Sequence, residues 1–130
     1  MKAAVRYYSR SGNTKALAEA IAGAAGVEAV SVDSAEAALT EPVDVLFIGG
    51  ALYAYGIDGK LKDYLKTLKK TDAKKAVVFS TSWLSKHAID LIKKALRESG
   101  IPVEEAYFYA KNMPGEAQLK EAAAFTEKFL

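Results

Sequence analysis

The chain reads as one doubly wound α/β domain built on a five-stranded parallel sheet, and three features of the sequence predict it. Apolar runs of strand length alternate with segments of helical period from residue 3 onward, with no repeat, low-complexity segment or linker between them. The run Val43-Asp44-Val45-Leu46-Phe47-Ile48-Gly49-Gly50 is almost continuously apolar, as a strand covered by helices on both faces must be. The stretch Tyr7-Tyr8-Ser9-Arg10-Ser11-Gly12-Asn13-Thr14-Lys15 joins a strand pattern directly to a helical one through small hydroxyl and amide residues. Right-handed crossovers leave few topologies for five such units. The order 2-1-3-4-5, in a three-layer α/β/α sandwich, is the expected one.

Element by element, Ala3-Ala4-Val5-Arg6-Tyr7-Tyr8 is a short buried strand. Leu17, Ala20, Ile21 and Ala24 then recur at helical spacing until Gly26, a residue suited to the left-handed position that closes a helix. Val27 to Val32 alternates strictly, which predicts an edge strand with one wet face. Ser34 caps a short helical piece through Leu39 that Pro42 ends. After the central strand, a loop from Ala51 to Gly56 leads to a helix whose face of Ile57, Leu61, Tyr64, Leu65 and Leu68 lies opposite a run of lysines. Ala76-Val77-Val78-Phe79-Ser80 is a second buried strand, followed by the helix carrying Ile89, Ile92, Ala95 and Leu96 and closed by Gly100. Val103 to Tyr109 is the last strand, and Leu119, Ala122, Ala123 and Phe129 mark the last helix. Each strand is thus followed by a helix.

At 130 residues the chain forms one domain, residues 1–130, large enough to bury roughly two-thirds of its unfolded surface. It has no cysteine, which removes disulfides, thiolate metal sites and a cysteine nucleophile. The first residues run straight into a strand without the apolar core of a leader peptide, and no apolar run approaches the roughly 18 residues of a membrane helix, so a soluble cytoplasmic protein is expected. The net charge of +2 is unevenly spread: residues 1–59 carry 4 Lys and Arg against 7 Asp and Glu, and residues 60–130 carry 14 against 9. Much of that excess is Lys60, Lys62, Lys66, Lys69, Lys70, Lys74 and Lys75. Alternation with an apolar stripe reads as a solvated helix face rather than a nucleic-acid interface, and no nucleic-acid or membrane partner is expected.

In a sheet of order 2-1-3-4-5 the loops after strands 1 and 3 part company at the switch point, where a ligand is expected. Ser9, Ser11 and Thr14 offer hydroxyl donors there, Gly12 allows close backbone approach, and the following helix turns unpaired N–H groups toward the loop. Such a loop cradles phosphate, although the same residues also make an ordinary turn and N-cap. In the second loop, Tyr53 and Tyr55 are placed either to sandwich a flat heteroaromatic ring or to fold back on the helix beginning near Ile57. In the third, Ser80-Thr81-Ser82-Trp83-Leu84-Ser85, the chain's one tryptophan falls in a loop rather than on an apolar helical face, which points to the site. His87 reads as a surface or capping residue rather than a proton-transfer group. No catalytic side chain and no metal ligand set stands out.

Taken together, Y-Y-S-R-S-G-N-T, I-G-G-A-L-Y-A-Y-G-I-D and F-S-T-S-W resemble the flavodoxin family, and among its members the small flavodoxin-like proteins more than the dedicated photosynthetic or nitrogenase-linked carriers. The resemblance implies FMN, with its phosphate held by Ser9, Arg10, Ser11, Gly12, Asn13 and Thr14. The flavin ring would lie between Ala51, Leu52, Tyr53, Ala54, Tyr55 and Gly56 on one side and Ser80, Thr81, Ser82 and Trp83 on the other. Tyr55-Gly56 matches the peptide whose carbonyl turns toward flavin N5 on reduction. Three departures stand out. Ser85, Lys86 and His87 replace the acidic residue usual after the third-loop aromatic; the sequence pI is about 8.7 where the family is acidic; and Arg10 and Lys15 flank a phosphate loop that usually works without cations, either strengthening the grip or pointing to solvent.

The resemblance implies an electron carrier between redox partner proteins, a monomer or weak dimer. An FMN-dependent NAD(P)H:quinone-type reductase would need a larger pocket, and no inserted segment builds one. A cofactor-free interaction protein is the third alternative. Other functions of the fold lack their residues: a receiver domain needs acidic groups where Ser9 and Gly49-Gly50 stand, a low-molecular-weight tyrosine phosphatase needs a cysteine, and a dinucleotide fingerprint needs three spaced glycines where Gly12 stands alone.

Overall fold

The computed structural model describes residues 1–53, 56–82 and 85–130. Its strands are β1 (Ala3–Tyr7), β2 (Ala29–Ser31), β3 (Val43–Ala51), β4 (Ala73–Thr81) and β5 (Val103–Ala110), and its helices α1 (Asn13–Ala25), α2 (Gly59–Thr67), α3 (His87–Glu98) and α4 (Glu116–Glu127). The strands pair in parallel in the order β2-β1-β3-β4-β5, as expected.

Period-two alternation along the inner strands separates two cores. Val45 and Phe47 of β3, with Val77 and Phe79 of β4 and Val5 of β1, pack with Leu17, Ile21 and Ala122 from α1 and α4. Leu46, Ile48, Ala76 and Val78 point the other way, onto Leu61, Leu65, Ile89, Ile92 and Leu96 from α2 and α3. Because both faces of β3 and β4 are covered, their apolar runs are continuous.

The structure differs from the sequence reading in three places. β2 is at the edge, as predicted, but begins at Ala29 rather than Val27, because Gly26 (φ +73°) turns the chain so that the Val27 N–H still donates to Ala22 of α1 at 3.0 Å. The expected helix after β2 is a single 3-10 turn, Ala35–Ala37, with Ser34 capping it as expected. There the Ala37 carbonyl accepts from Arg6 Nε at 2.7 Å and from the Tyr64 hydroxyl at 2.6 Å, so it is diverted from the ladder a longer helix needs. β4 begins at Ala73, three residues early, because it pairs Ala73 with Val43 at the start of β3. No helix among the described residues is long and apolar enough to cross a membrane.

Candidate functional site

The carboxyl ends of β1, β3 and β4 carry the three loops singled out above, and the sheet brings them together. Tyr8 N–H donates to the Gly49 carbonyl at 3.2 Å, which continues the β1–β3 ladder up to the first loop. The Ser80 hydroxyl donates to the Gly50 carbonyl at 2.7 Å, and Ala51 pairs with Thr81, which holds the ends of β3 and β4 level. Gly49 permits this closeness, and Gly50 makes room for α2. A Cβ on Gly49 would stand 2.3 Å from the Phe79 carbonyl oxygen, and one on Gly50 would stand 2.5 Å from Leu61 Cδ2.

In the first loop the Gly12 N–H donates to Ser9 Oγ at 2.9 Å, which leaves the Ser9 hydroxyl proton free to be donated outward. Gly12 takes φ +94°, a left-handed conformation that an L side chain resists, and occupies the N-cap of α1 without supplying a capping side chain. The first turn of α1 therefore presents backbone N–H groups and the positive end of the helix dipole to whatever lies in front of the loop. Thr14, in that turn, is buried, and its hydroxyl lies 2.6 Å from the buried hydroxyl of Thr81. Two hydroxyls sharing one hydrogen bond retain one further proton to donate. Ser11 is exposed, and Gly12 and Asn13 are half-buried.

Arg10 has a partner that neither sequence alternative named. Its Nε and Nη2 donate to Asp58 Oδ2 at 2.9 and 2.5 Å, and its guanidinium carbon sits 4.0 Å from the centre of the Tyr53 ring. Asp58 also caps α2, accepting from the Lys60 N–H at 2.8 Å. Burial pushes the Asp58 carboxyl toward neutrality, but the Lys60 N–H and Arg10 outweigh it and hold the group below the usual aspartate range. Tyr53 is pushed up, mainly by burial, against the pull of Arg10. Asp58 is thus a residue that the sequence reading missed. An aspartate at the start of the helical pattern that begins near Ile57 is a legible capping signal, but nothing local indicated its partner 48 positions away.

In the second loop Tyr53 and Gly56 exchange backbone hydrogen bonds, 2.7 Å from the Tyr53 N–H and 3.0 Å from the Gly56 N–H, and Gly56 takes φ +115°. Leu52 packs against the core on the α2 and α3 face. In the third loop Ser80 and Thr81 are buried, and Ser82 is fixed to β5: its N–H donates to the Ala110 carbonyl at 3.2 Å, and its carbonyl accepts from the Tyr109 hydroxyl at 2.7 Å. Ala54, Tyr55 and Trp83 lie outside the described residues. Among the residues described, the first loop therefore meets the second through Arg10 and Tyr53 and the third through Thr14 and Thr81. His87 is exposed and begins α3. Lys15 is exposed.

A family model described as a flavodoxin domain matches residues 4–121. Among solved structures, a flavodoxin from the domain Archaea is 26% identical with a TM-score of 0.78 over 99% of this chain and 96% of its own. Flavodoxin 1 from Bacillus cereus, in its oxidised form, is 23% identical with a TM-score of 0.80 over 99% and 97%. The rubredoxin oxygen:oxidoreductase of Desulfovibrio gigas, at 15% identity and a TM-score of 0.83, shares the fold over 98% of this chain but only 35% of its own. None of the functionally curated proteins matches the sequence significantly.

Proposed function

The chain belongs to the flavodoxin family, and on that premise we propose that it binds FMN and carries electrons between redox partner proteins. The observation that carries this reading is the α1 N-terminus, which Gly12 leaves without a side-chain cap while Ser9 and the Thr14–Thr81 pair keep hydroxyl protons to donate beside it. A set made of hydroxyl donors and helix N–H groups suits a dianionic phosphate ester and would leave a neutral ligand poorly matched.

In this reading Ser9, Ser11, Gly12, Asn13 and Thr14 hold the phosphate, while Tyr53, with Tyr55 and Trp83, flanks the ring. FMN supplies one- and two-electron chemistry, and the protein supplies binding, orientation and electrostatics. Arg10 joins the first loop to the second through Asp58, and its remaining guanidinium N–H groups can still reach the phosphate. The Ser80 hydroxyl is engaged by Gly50, so this residue sets the height of the third loop and leaves contact with the ligand to its neighbours.

The test is to incubate the purified chain with FMN, remove the excess and record its spectrum. Retained absorbance near roughly 450 nm, together with quenching of the fluorescence of Trp83, is expected. A protein that stays colourless overturns the reading. Steady NADPH oxidation by the yellow protein with a quinone would replace the carrier with a reductase.

A further inference from the structure

On the face of the molecule that α2 and α3 form, we infer a docking groove for an acidic amphipathic helix of another protein. The groove encloses about 600 Å³ between the two helices and the Ile57 end of the second loop. Its floor is apolar: Leu65 and Leu68 come from α2 and the residue following it, and Leu91 and Ala95, one turn apart on α3, are half-buried and reachable from outside. Its walls are cationic. Lys62, Lys66, Lys69, Lys70 and Lys94 line it, all exposed, against one carboxylate, Glu98.

Among the described residues none of these five ammonium groups has a carboxylate within ion-pair distance, although Lys2, Lys60, Lys74, Lys75 and Lys120 elsewhere each have one. The Lys70 stem runs close over Gly100, where an added Cβ would come within 2.9 Å of the Lys70 Cβ. A trough between two packed helices, with rows spaced by three and four residues on either wall, receives a third helix through its i, i+3, i+4 side chains. Five uncompensated positive charges around it select a helix whose flanks are Glu and Asp. Among the described residues, a single-stranded nucleic acid would find no aromatic side chain lining the groove to stack on. A lipid surface is flat, whereas these lysines ring a concavity. Apart from Ile57 at its end, the groove lies away from the loops proposed to hold FMN.

The probe is a synthetic helical peptide with a leucine stripe flanked by glutamates, labelled with a fluorophore, and beside it a scrambled peptide of identical composition. Anisotropy titration of the whole chain should give at least about tenfold tighter binding for the patterned peptide, weakening as salt rises. Lys66→Glu with Lys94→Glu should lower that affinity more than about tenfold, whereas Lys120→Glu with Lys128→Glu, the same change of net charge on α4 and the residue following it, should leave it within about twofold. Ala95→Gln, which places polar bulk on the floor, should weaken binding with the lysines intact. Equal binding of the scrambled peptide, or an equal loss on changing the α4 lysines, overturns the groove in favour of diffuse charge attraction. Anionic phospholipid vesicles captured through Lys66 and Lys94 in place of the peptide would assign the lysines to a membrane surface. Concentration-dependent dimerisation abolished by Lys66→Glu would assign the groove to a second copy. Either result overturns the proposal.

Discussion

Around Arg10, one side chain holds an aspartate and covers a tyrosine ring, and the charge on that aspartate decides how the first two loops are joined. Asp58 is held below the usual aspartate range, so its unfolded value is the higher of the two. A group with a depressed folded pKa stabilises the fold fully above its unfolded value and loses that contribution as the pH falls through the folded one. Asp58→Asn keeps an oxygen to cap α2 but removes the charge. Its deficit should therefore be flat from about pH 8 to about pH 5 and shrink below about pH 4. Because the Arg10 side chain is 45% exposed, solvent screening limits the deficit to roughly 0.5–1 kcal/mol. Urea unfolding at a series of pH values measures it, and a deficit that grows on acidification would contradict the assignment. The Thr14–Thr81 pair behaves differently, since both hydroxyls are buried. Thr14→Val alone strands the Thr81 hydroxyl and should cost about 1–3 kcal/mol in the absence of ligand, whereas Thr14→Val with Thr81→Val, which removes both partners at nearly constant shape, should recover most of it. A double-mutant cycle in urea reads the coupling, and additive single effects would show that the two hydroxyls do not share a bond in solution. At this scale the sequence was half legible. Ser9, Gly12 and Thr14 announce themselves because strand, small loop and helix follow one another locally. The partnership of Thr14 with Thr81, 67 positions away, exists only once β4 lies beside β3.

Strand ends and turns place these residues, and two adjacent glycines show how narrowly. Gly49 and Gly50 end the apolar part of β3, but the atoms facing them differ in kind. At Gly49 an added Cβ meets the Phe79 backbone carbonyl at 2.3 Å and the Phe79 ring at 2.4 Å, neither of which can yield without moving β4. At Gly50 it meets the far end of the Leu61 side chain at 2.5 Å, which a change of rotamer in α2 can relieve. Gly49→Ala should therefore cost about 3 kcal/mol or more and Gly50→Ala about 1–2 kcal/mol, as read from unfolding midpoints. Equal costs would mean that the β3–β4 spacing at this end is looser than the paired register implies. The same scale explains what composition could not reveal. Continuous apolar runs identify β3 and β4, and strict alternation identifies β2 as an edge, because burial on two faces or one writes itself into hydropathy. The cap at Ser34 and the stop at Pro42 predict a longer helical piece than the 3-10 turn at Ala35–Ala37. What shortens it is the pair of donors from Arg6 and Tyr64, which come from β1 and α2.

The molecule as a whole is a sheet covered on both faces with a candidate site at one rim, so ligand affinity and global stability should be linked through the loops. FMN that binds the folded chain and ignores the unfolded one should stabilise it by about 2.7 kcal/mol at one hundred times its dissociation constant. For a domain of this size that raises the melting midpoint by several degrees. Riboflavin has the same ring but no phosphate, so it separates the parts of the site. If the uncapped N-terminus of α1 holds the phosphate, riboflavin at equal concentration should give a far smaller shift, and Thr14→Val should reduce the FMN shift while leaving the riboflavin shift unchanged. Asp58→Asn should weaken both if the second loop, which Asp58 secures, flanks the ring as proposed. Thermal unfolding followed by far-UV circular dichroism, with each variant tested against both ligands, gives all the comparisons at once. Equal shifts with FMN and riboflavin in the unaltered chain would detach the phosphate from the first loop, whatever the protein's colour.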